Sequence, residues 1–255
     1  MIKEKLGSHI PGKEIIPVRP EPIISNLEVV AFDKEMDVQL AIDALSEGYS
    51  VLITDYYSSG LAVLNALKKQ LKKKHPGKSF QQQRSFRNAF HEDSKKILLK
   101  VKKHQLTVKK APEIGWLKIL YPELEEFLLP FSQVQGLNSS WQWYKKGMSI
   151  PVLNREIHPW YGTYFPTRFD HLGIFDHWLK HYKGEKKSAI DVGIGSGVLS
   201  FQMLNYGFEK IYGTDTNPNT IIGLKENAKK NNLISKLELI HGDLFAGLDL
   251  KTELI

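Results

Sequence analysis

Hydrophobic spacing divides the chain into two stretches of different character. Between Asp33 and Glu47, apolar side chains at Met36, Val38, Leu40, Ala41, Ala44 and Leu45 recur at mostly helical spacing, and Gly48 supplies a stop. SVLIT (50–54) has the apolar run of a short buried strand. Ser58 or Ser59 then caps an expected helix with Leu61, Val63, Leu64, Leu67 and Leu71 on one stripe, ending before Pro76. A short helix is expected over 80–92, and KILLKVK with LTVKKA predicts a hairpin around His104. PELEEFLLPF (122–131) opens like a helix, with Pro122 early and three acids in its first turn. SWQWYKKGMSIPVL (140–153) reads as two strands joined at Lys146-Gly147. Residues 1–26 carry Pro11, Pro17, Pro20 and Pro22 and are expected to run extended. There is no internal repeat. Residues 1–155 therefore read as a small α+β domain that recruits or positions something.

From Tyr161 onward the pattern changes. FDHLGIFDHWLKHY (169–182) predicts an amphipathic helix with Leu172, Phe175, Trp178 and Leu179 inward, closed by Gly184. Three strands follow, KSAIDV (187–192), KIYGTD (210–215) and KLELIHG (236–242). Helices from about Gly197 to Asn205 and from Pro218 to about Asn231 separate them. Strand–helix–strand–helix–strand at this spacing predicts a parallel α/β half-sheet over 156–255.

Charge changes the picture of the first stretch only. Residues 1–150 hold 23 Lys+Arg against 16 Asp+Glu, whereas 151–255 hold 12 of each. Within 68–110 there are 15 basic residues and two acids, Glu92 and Asp93. Such a field attracts polyanions, making RNA or DNA candidate partners; a solvated helix face with a lysine-rich hairpin is the plainer alternative. The absence of cysteine excludes disulfides, thiolate metal sites and thiol nucleophiles. No run approaches the roughly 18 apolar residues of a membrane span, and MIKEKLGSHIPGKEIIP has no apolar signal-peptide core. A cytoplasmic protein without membrane partners is the expectation. His177 and His181 stand i, i+4 but lack the Glu and third ligand of a zincin, so no metal site is assigned. A serine hydrolase is excluded because no G-x-S-x-G occurs.

The informative stretch is AIDVGIGSGVLS (189–200), with Gly193, Gly195 and Gly197 in the turn between a strand and a helix. Glycines there let the backbone pass close to a ligand, with helix amides directed at it. Val198 stands where a dinucleotide fingerprint needs its third glycine, and no Gly-Lys-Ser/Thr of a P-loop follows. What remains, D-x-G-x-G-x-G led by Asp191, resembles the first motif of the class I S-adenosylmethionine-dependent methyltransferases. A cofactor with a cationic sulfonium and no phosphate suits a carboxylate better than a phosphate-binding lysine. Asp215 closes the second strand, where an acid can accept both ribose hydroxyls, as in NAD sites; a helix-cap role before Pro218 is compatible. By the same resemblance, Asp243 after the third strand faces the adenine amino group, with Leu244 and Phe245 flanking the ring.

WYGTYFPTRFDHLGIF (160–175) resembles the stretch before the first motif in the small-domain subgroup, which includes the release-factor glutamine methyltransferases and N6-adenine methylases. There a Pro-containing turn folds over the cofactor, implicating Phe165, Pro166 and Thr167 and, more weakly, Arg168; a rigid aromatic linker is the alternative. The resemblance implies a Rossmann-like class I methyltransferase sheet, of which only three strands are expected here, preceded by the α+β domain. It implies transfer of a methyl group from S-adenosylmethionine to a planar nitrogen of RNA, DNA or a translation protein. In that subgroup an Asn/Asp-Pro-Pro-aromatic loop after the fourth strand holds the target nitrogen. No such motif occurs in this chain, and Glu253-Leu254-Ile255 reads as the opening of a fourth strand. The catalytic residues therefore stay unassigned, and the expectation is of a natural chain that reads onward. The 255 residues alone are expected to bind cofactor weakly, with low solubility or pairing through the open sheet edge. The alternative is a non-catalytic nucleic-acid- or ribosome-binding protein with a methyltransferase-like remnant.

Overall fold

The computed structural model describes residues 15–24, 27–77, 79–245 and 247–255. Pro11 and the rest of the first fourteen positions lie outside the described residues. Contacts group the chain into two units, Arg19–Trp141 and a second comprising Met1–Val18 with Gln142–Ile255.

The first unit contains β1 (Val29–Phe32), α1 (Val38–Glu47), β2 (Ser50–Ile53), α2 (Tyr57–Lys74), α3 (Phe80–Ser94) and β3 (Ile97–Lys102). It continues through β4 (Gln105–Leu106), α4 (Trp116–Leu120) and β5 (Glu126–Pro130) into most of α5 (Phe131–Lys146). β1, β2 and β3 pair in parallel; β5 runs antiparallel along β3, and β4 folds back on the end of β3. β3 is central, so Ile97, Leu98, Leu99 and Val101 are all buried, an apolar run broken only at Lys100. Lys103 and His104, at φ 49° and 61°, make the two-residue hairpin connection. β4 keeps only two residues of the expected second strand.

α1 begins at Val38, with Asp37 as its cap accepting from the Gln39 amide, and Gly48 ends it in the left-handed region at φ 100°. Its inward set is Ala41, Ile42, Ala44 and Leu45; Met36 and Leu40, expected on that stripe, are exposed. α2 starts earlier than expected, so Tyr56 stands at its cap position and Ser58 and Ser59 fall within the first turn.

Gly60 in α2 lies against the buried ring of Phe131, and a Cβ there stands 2.3 Å from ring atom Cε2. Alanine raises helix propensity by about 1 kcal/mol, but overpacking of a rigid ring costs about 1–3 kcal/mol. Gly60→Ala is expected to lower stability, read as an earlier midpoint in urea unfolding; an unchanged or later midpoint shows that the ring yields.

Two expectations fail in this unit. Residues 122–130 are a turn and a strand, not a helix, and Phe131 opens α5. Phe127 and Leu129 are buried while Glu126 is exposed, an alternation with the period of a strand. Glu126 sits across the ladder from Lys100 (2.5 Å) and Lys102 (3.1 Å). The acid that reads as helix-dipole compensation is thus a cross-strand partner. SWQWY ends α5 instead of forming a strand. Phe131, Val134 and Leu137 form the buried stripe of this helix, and Trp141 meets Trp116 edge-on at 5.3 Å. Gly136, Asn138 and two serines weaken the helical signal there, while the aromatics imitate a strand.

The second unit holds the hairpin β6 (Met148–Ile150) and β7 (Arg155–Ile157), then α6 (Asp170–His181). β8 (Ser188–Val192), α7 (Val198–Asn205), β9 (Lys210–Asp215), α8 (Pro218–Lys230) and β10 (Leu237–His241) follow. This hairpin, not expected from sequence, places Ile150, Leu153 and Ile157 in the core of this unit. The sheet order is β10-β9-β8, all parallel, a Rossmann-like arrangement. On the free side of β8, Leu254 makes an isolated parallel bridge to Ala189, its carbonyl accepting from the Ile190 amide at 2.9 Å. Glu253 accepts from the Ser188 amide and hydroxyl at 2.8 and 3.0 Å, bonds that hold its carboxyl below the usual range. In α6, Leu172 and Leu179 are buried, but Trp178 is 41% exposed and stacks on Phe175, so its expected inward position is corrected. α8 uses two asparagines as substitutes for backbone. Asn219 exchanges paired hydrogen bonds with Val18, and Asn227 does the same with His158.

Among the described residues no helix is long and apolar enough to cross a membrane, and no cluster of three or more potential metal ligands occurs.

Candidate functional site

The carboxyl ends of β8, β9 and β10 lie side by side, with Val192 opposite Thr214 and Asp215 opposite His241. Adjacent strands stand about 4.8 Å apart, so the glycine turn, Asp215 and the Gly242-Asp243 segment follow one another along a single rim. Ligands of open α/β sheets bind at such rims, where strand order reverses. The reversal here falls between β9 and the Leu254 segment, at β8.

After β8 the chain reverses through residues 193–197 into α7. Gly193, Gly195 and Gly197 all have left-handed φ, at 69°, 51° and 76°; an L-residue costs about 1–2 kcal/mol there. The Thr214 carbonyl on β9 accepts from the Gly193 and Ile194 amides at 2.9 and 3.0 Å. The Asp215 carboxylate accepts from the Gly195 amide at 3.1 Å, and the Tyr164 carbonyl from the Ser196 amide at 3.0 Å. A Cβ on Gly197 stands 2.5 Å from Leu224, and one on Gly195 is 3.2 Å from the Tyr164 carbonyl. At Gly193 nothing lies within 4 Å of that position, so the backbone there is bare on one side.

Asp191 is buried below this turn and accepts from Ser200 Oγ at 2.6 Å. Burial raises its carboxyl to about pKa 6, against the opposing Ser200 hydrogen bonds. Together with Val192, Leu199, Met203 and Leu254 it lines a cavity of about 250 Å³ beside β8. Asp215 is half-buried, and besides Gly195 it accepts from the Asn217 amide at 2.8 Å. The cap of α8 is Asn217, which accepts from the Asn219 amide, with Pro218 in the first helical position. The cap role considered for Asp215 thus belongs to its neighbour.

Asp243 and Leu244 stand exposed beyond β10, Leu244 at φ 44°, with Phe245 48% exposed beside them. Of the expected strap, Pro166 is buried, Phe165 lies 5.8 Å from the Trp143 ring, and Thr167 and Arg168 are exposed. The contacts to the rim come slightly earlier, from Tyr164 to Ser196 and from Asn217 Nδ2 to the Gly162 carbonyl at 2.8 Å.

Residue-by-residue reading missed Ser200, Thr214, Tyr164 and Asn217. Only Asn217 carried a local signal, the Asn-Pro of a capped helix start. The others act through one backbone carbonyl or one hydroxyl, and their partners are distant in sequence.

A family model described as "Ribosomal protein L11 methyltransferase (PrmA)" matches residues 174–254. The second unit resembles that family. A ribosomal protein L11 methyltransferase of Lachnospira eligens is 45% identical over 67 residues, 26% of this chain and 21% of the relative. One from Thermosipho africanus is 33% identical over 78 residues, 31% of this chain and 29% of the relative. The matches thus span less than a third of the length of these relatives. A solved ribosomal protein L11 methylase from Lactobacillus delbrueckii subsp. bulgaricus aligns at TM-score 0.28 and 21% identity, covering 37% of this chain and 55% of that one.

The rim suits S-adenosylmethionine by its chemistry. Residues 191–197 contain a carboxylate and no lysine or arginine, the bare backbone at Gly193 admits close approach, and Asp215 has acceptor capacity beyond its two amides.

Proposed function

We propose that the protein is an S-adenosylmethionine-dependent methyltransferase acting on a nitrogen of a protein of the translation apparatus. The observation that carries this reading is the rim itself. A glycine turn with three left-handed residues is held by Thr214 and Asp215 of the next strand, within the segment matched by the ribosomal protein L11 methyltransferase family. The choice of a protein acceptor over a nucleobase rests on that family's description.

In this reading Gly193, Gly195 and Gly197 bring backbone close to the methionine end of the cofactor, and Asp191 supplies negative charge beneath it. Asp215 takes the ribose hydroxyls on its remaining lone pairs, already oriented by the Gly195 and Asn217 amides. Asp243, with Leu244, borders the adenine. The strap at Phe165, Pro166 and Thr167 borders the pocket, anchored through Tyr164. The cofactor supplies an electrophilic methyl group. The chain's part is to hold and orient it, and catalysis of this kind is chiefly positioning.

The test has two parts. Calorimetry on the full-length gene product is expected to give binding of S-adenosylmethionine and of S-adenosylhomocysteine. Tritiated cofactor with purified ribosomes is then expected to label protein; label in RNA alone moves the acceptor, and no binding heat at millimolar cofactor overturns the reading.

A further inference from the structure

The basic stretch 68–110 does not act as one patch. Lys95, Lys96, Lys100 and Lys102 are neutralised by Glu92, Asp93 and Glu126. Lys109 and Lys110 lie 5.6 and 5.9 Å from the Tyr56 ring centre. Among the described residues, Lys68, Lys69, Lys72, Lys73 and Lys74 on α2 and Arg84 and Arg87 on α3 have no carboxylate partner. These seven are exposed.

α3 buries only Ser94, while Phe86 and Phe90 are half-buried and stack on each other at 6.0 Å. Its outer face presents Phe80, Gln83, Arg84, Arg87, Asn88 and His91 at i, i+3 and i+4 spacing, and Phe80 is 74% exposed. Where α2 turns into α3 through Pro76 and Gly77, a cavity of about 430 Å³ opens. Lys72, His75, Gln83, Phe86 and Arg87 line it, and among the described residues no acid does.

Cations around an aromatic ring, with an amide and an exposed second ring nearby, match the requirements of a phosphodiester chain carrying unstacked bases. A duplex offers no free base face to Phe80 or Phe86. An acidic peptide would use the cations and leave both rings idle. We propose that the α2–α3 hairpin is a docking surface for single-stranded RNA, with Lys72 and Arg87 on phosphates and Phe80 on a base. The choice of RNA over DNA rests on the translation-protein reading above, because a ribosomal acceptor is presented on RNA. The docking serves recruitment; the methyl acceptor remains a protein.

The test is fluorescence anisotropy of the full-length protein with a labelled 12-nucleotide oligouridylate, without cofactor, from 50 to 200 mM KCl. If three to four phosphates are neutralised, the single-strand slope of about −0.7 per phosphate predicts a roughly 15- to 50-fold loss of affinity over that range. Lys72→Gln with Arg87→Gln is expected to weaken binding at least about tenfold and to flatten the slope by about 1.4. Phe80→Ala, at an exposed position, is expected to weaken it about fivefold or more. All three side chains point to solvent, so the variants keep the parent's thermal midpoint. Salt-independent binding, unchanged affinity in the double variant, or tighter binding to duplex DNA, oligothymidylate or polyglutamate overturns the proposal. Because the readout involves no cofactor, its failure leaves the methyltransferase reading intact; failure of that reading removes only the preference for RNA over single-stranded DNA.

Discussion

Asp215→Ala is expected to weaken S-adenosylmethionine binding about 100-fold, equivalent to about 2.7 kcal/mol. Two losses combine. The ribose loses charge-assisted hydrogen bonds, which contribute about 1.5–3 kcal/mol. The Gly195 amide also loses the acceptor that fixes the glycine turn, 3.1 Å from Asp215 Oδ2. Asp215→Asn separates these effects. Its single carbonyl oxygen can keep the Asn217 amide, bound at 2.8 Å by Oδ1, while its amino group faces the Gly195 amide donor. It is expected to fall between wild type and alanine in calorimetric affinity. Wild-type affinity in both variants, with an earlier thermal midpoint, assigns Asp215 a purely structural role and places the ribose elsewhere.

Asp191 is expected to make stability and cofactor affinity respond to pH in opposite senses. Its carboxyl is raised on folding from 3.8 to about 6, with burial the largest cause. A carboxyl raised on folding binds its proton more tightly in the native state. Native stability is therefore greatest below the unfolded pKa, falls as pH rises from about 4 to about 6, and levels off above. The size of that step is about 3 kcal/mol. Asp191→Asn is expected to abolish the step in urea unfolding measured from pH 4 to 7.5, since asparagine keeps an acceptor for Ser200 Oγ without a charge. A cationic cofactor favours the ionised carboxylate. Its affinity for wild type is expected to be about tenfold lower at pH 5 than at pH 7, because near pKa 6 only about one-tenth of Asp191 is ionised at pH 5. Cofactor affinity that is flat over that range, or equal in Asp191→Asn, removes Asp191 from the cofactor site.

The second unit was far more legible than the first. Strands at 188–192, 210–215 and 237–241 and the helices between them lie within a residue or two of expectation. Each strand keeps a short buried core of apolar residues, and the connecting helices carry explicit starts in glycine and Asn-Pro. Residues 122–131 and 140–146 were misread because local propensity and tertiary context disagree. Glu126 finds its cations on β3 rather than along a helix, and the tryptophan-rich end of α5 packs on Trp116.

The sequence by itself determined the order along the rim, a glycine turn, then an acid, then an acid, each placed at or just beyond the end of a strand. That order is encoded at the ends of successive strands, and a parallel sheet converts it directly into adjacency. Only the tertiary structure decided how those residues are held. The Thr214 and Tyr164 carbonyls secure the turn from positions distant in sequence, while the Ser200 hydroxyl and the Asn217 amide hold the Asp191 and Asp215 carboxylates. It also divided the lysine-rich stretch into cations neutralised by Glu92, Asp93 and Glu126 and cations left facing water. Charge counts cannot make that division, because screening by a partner depends on distance in space.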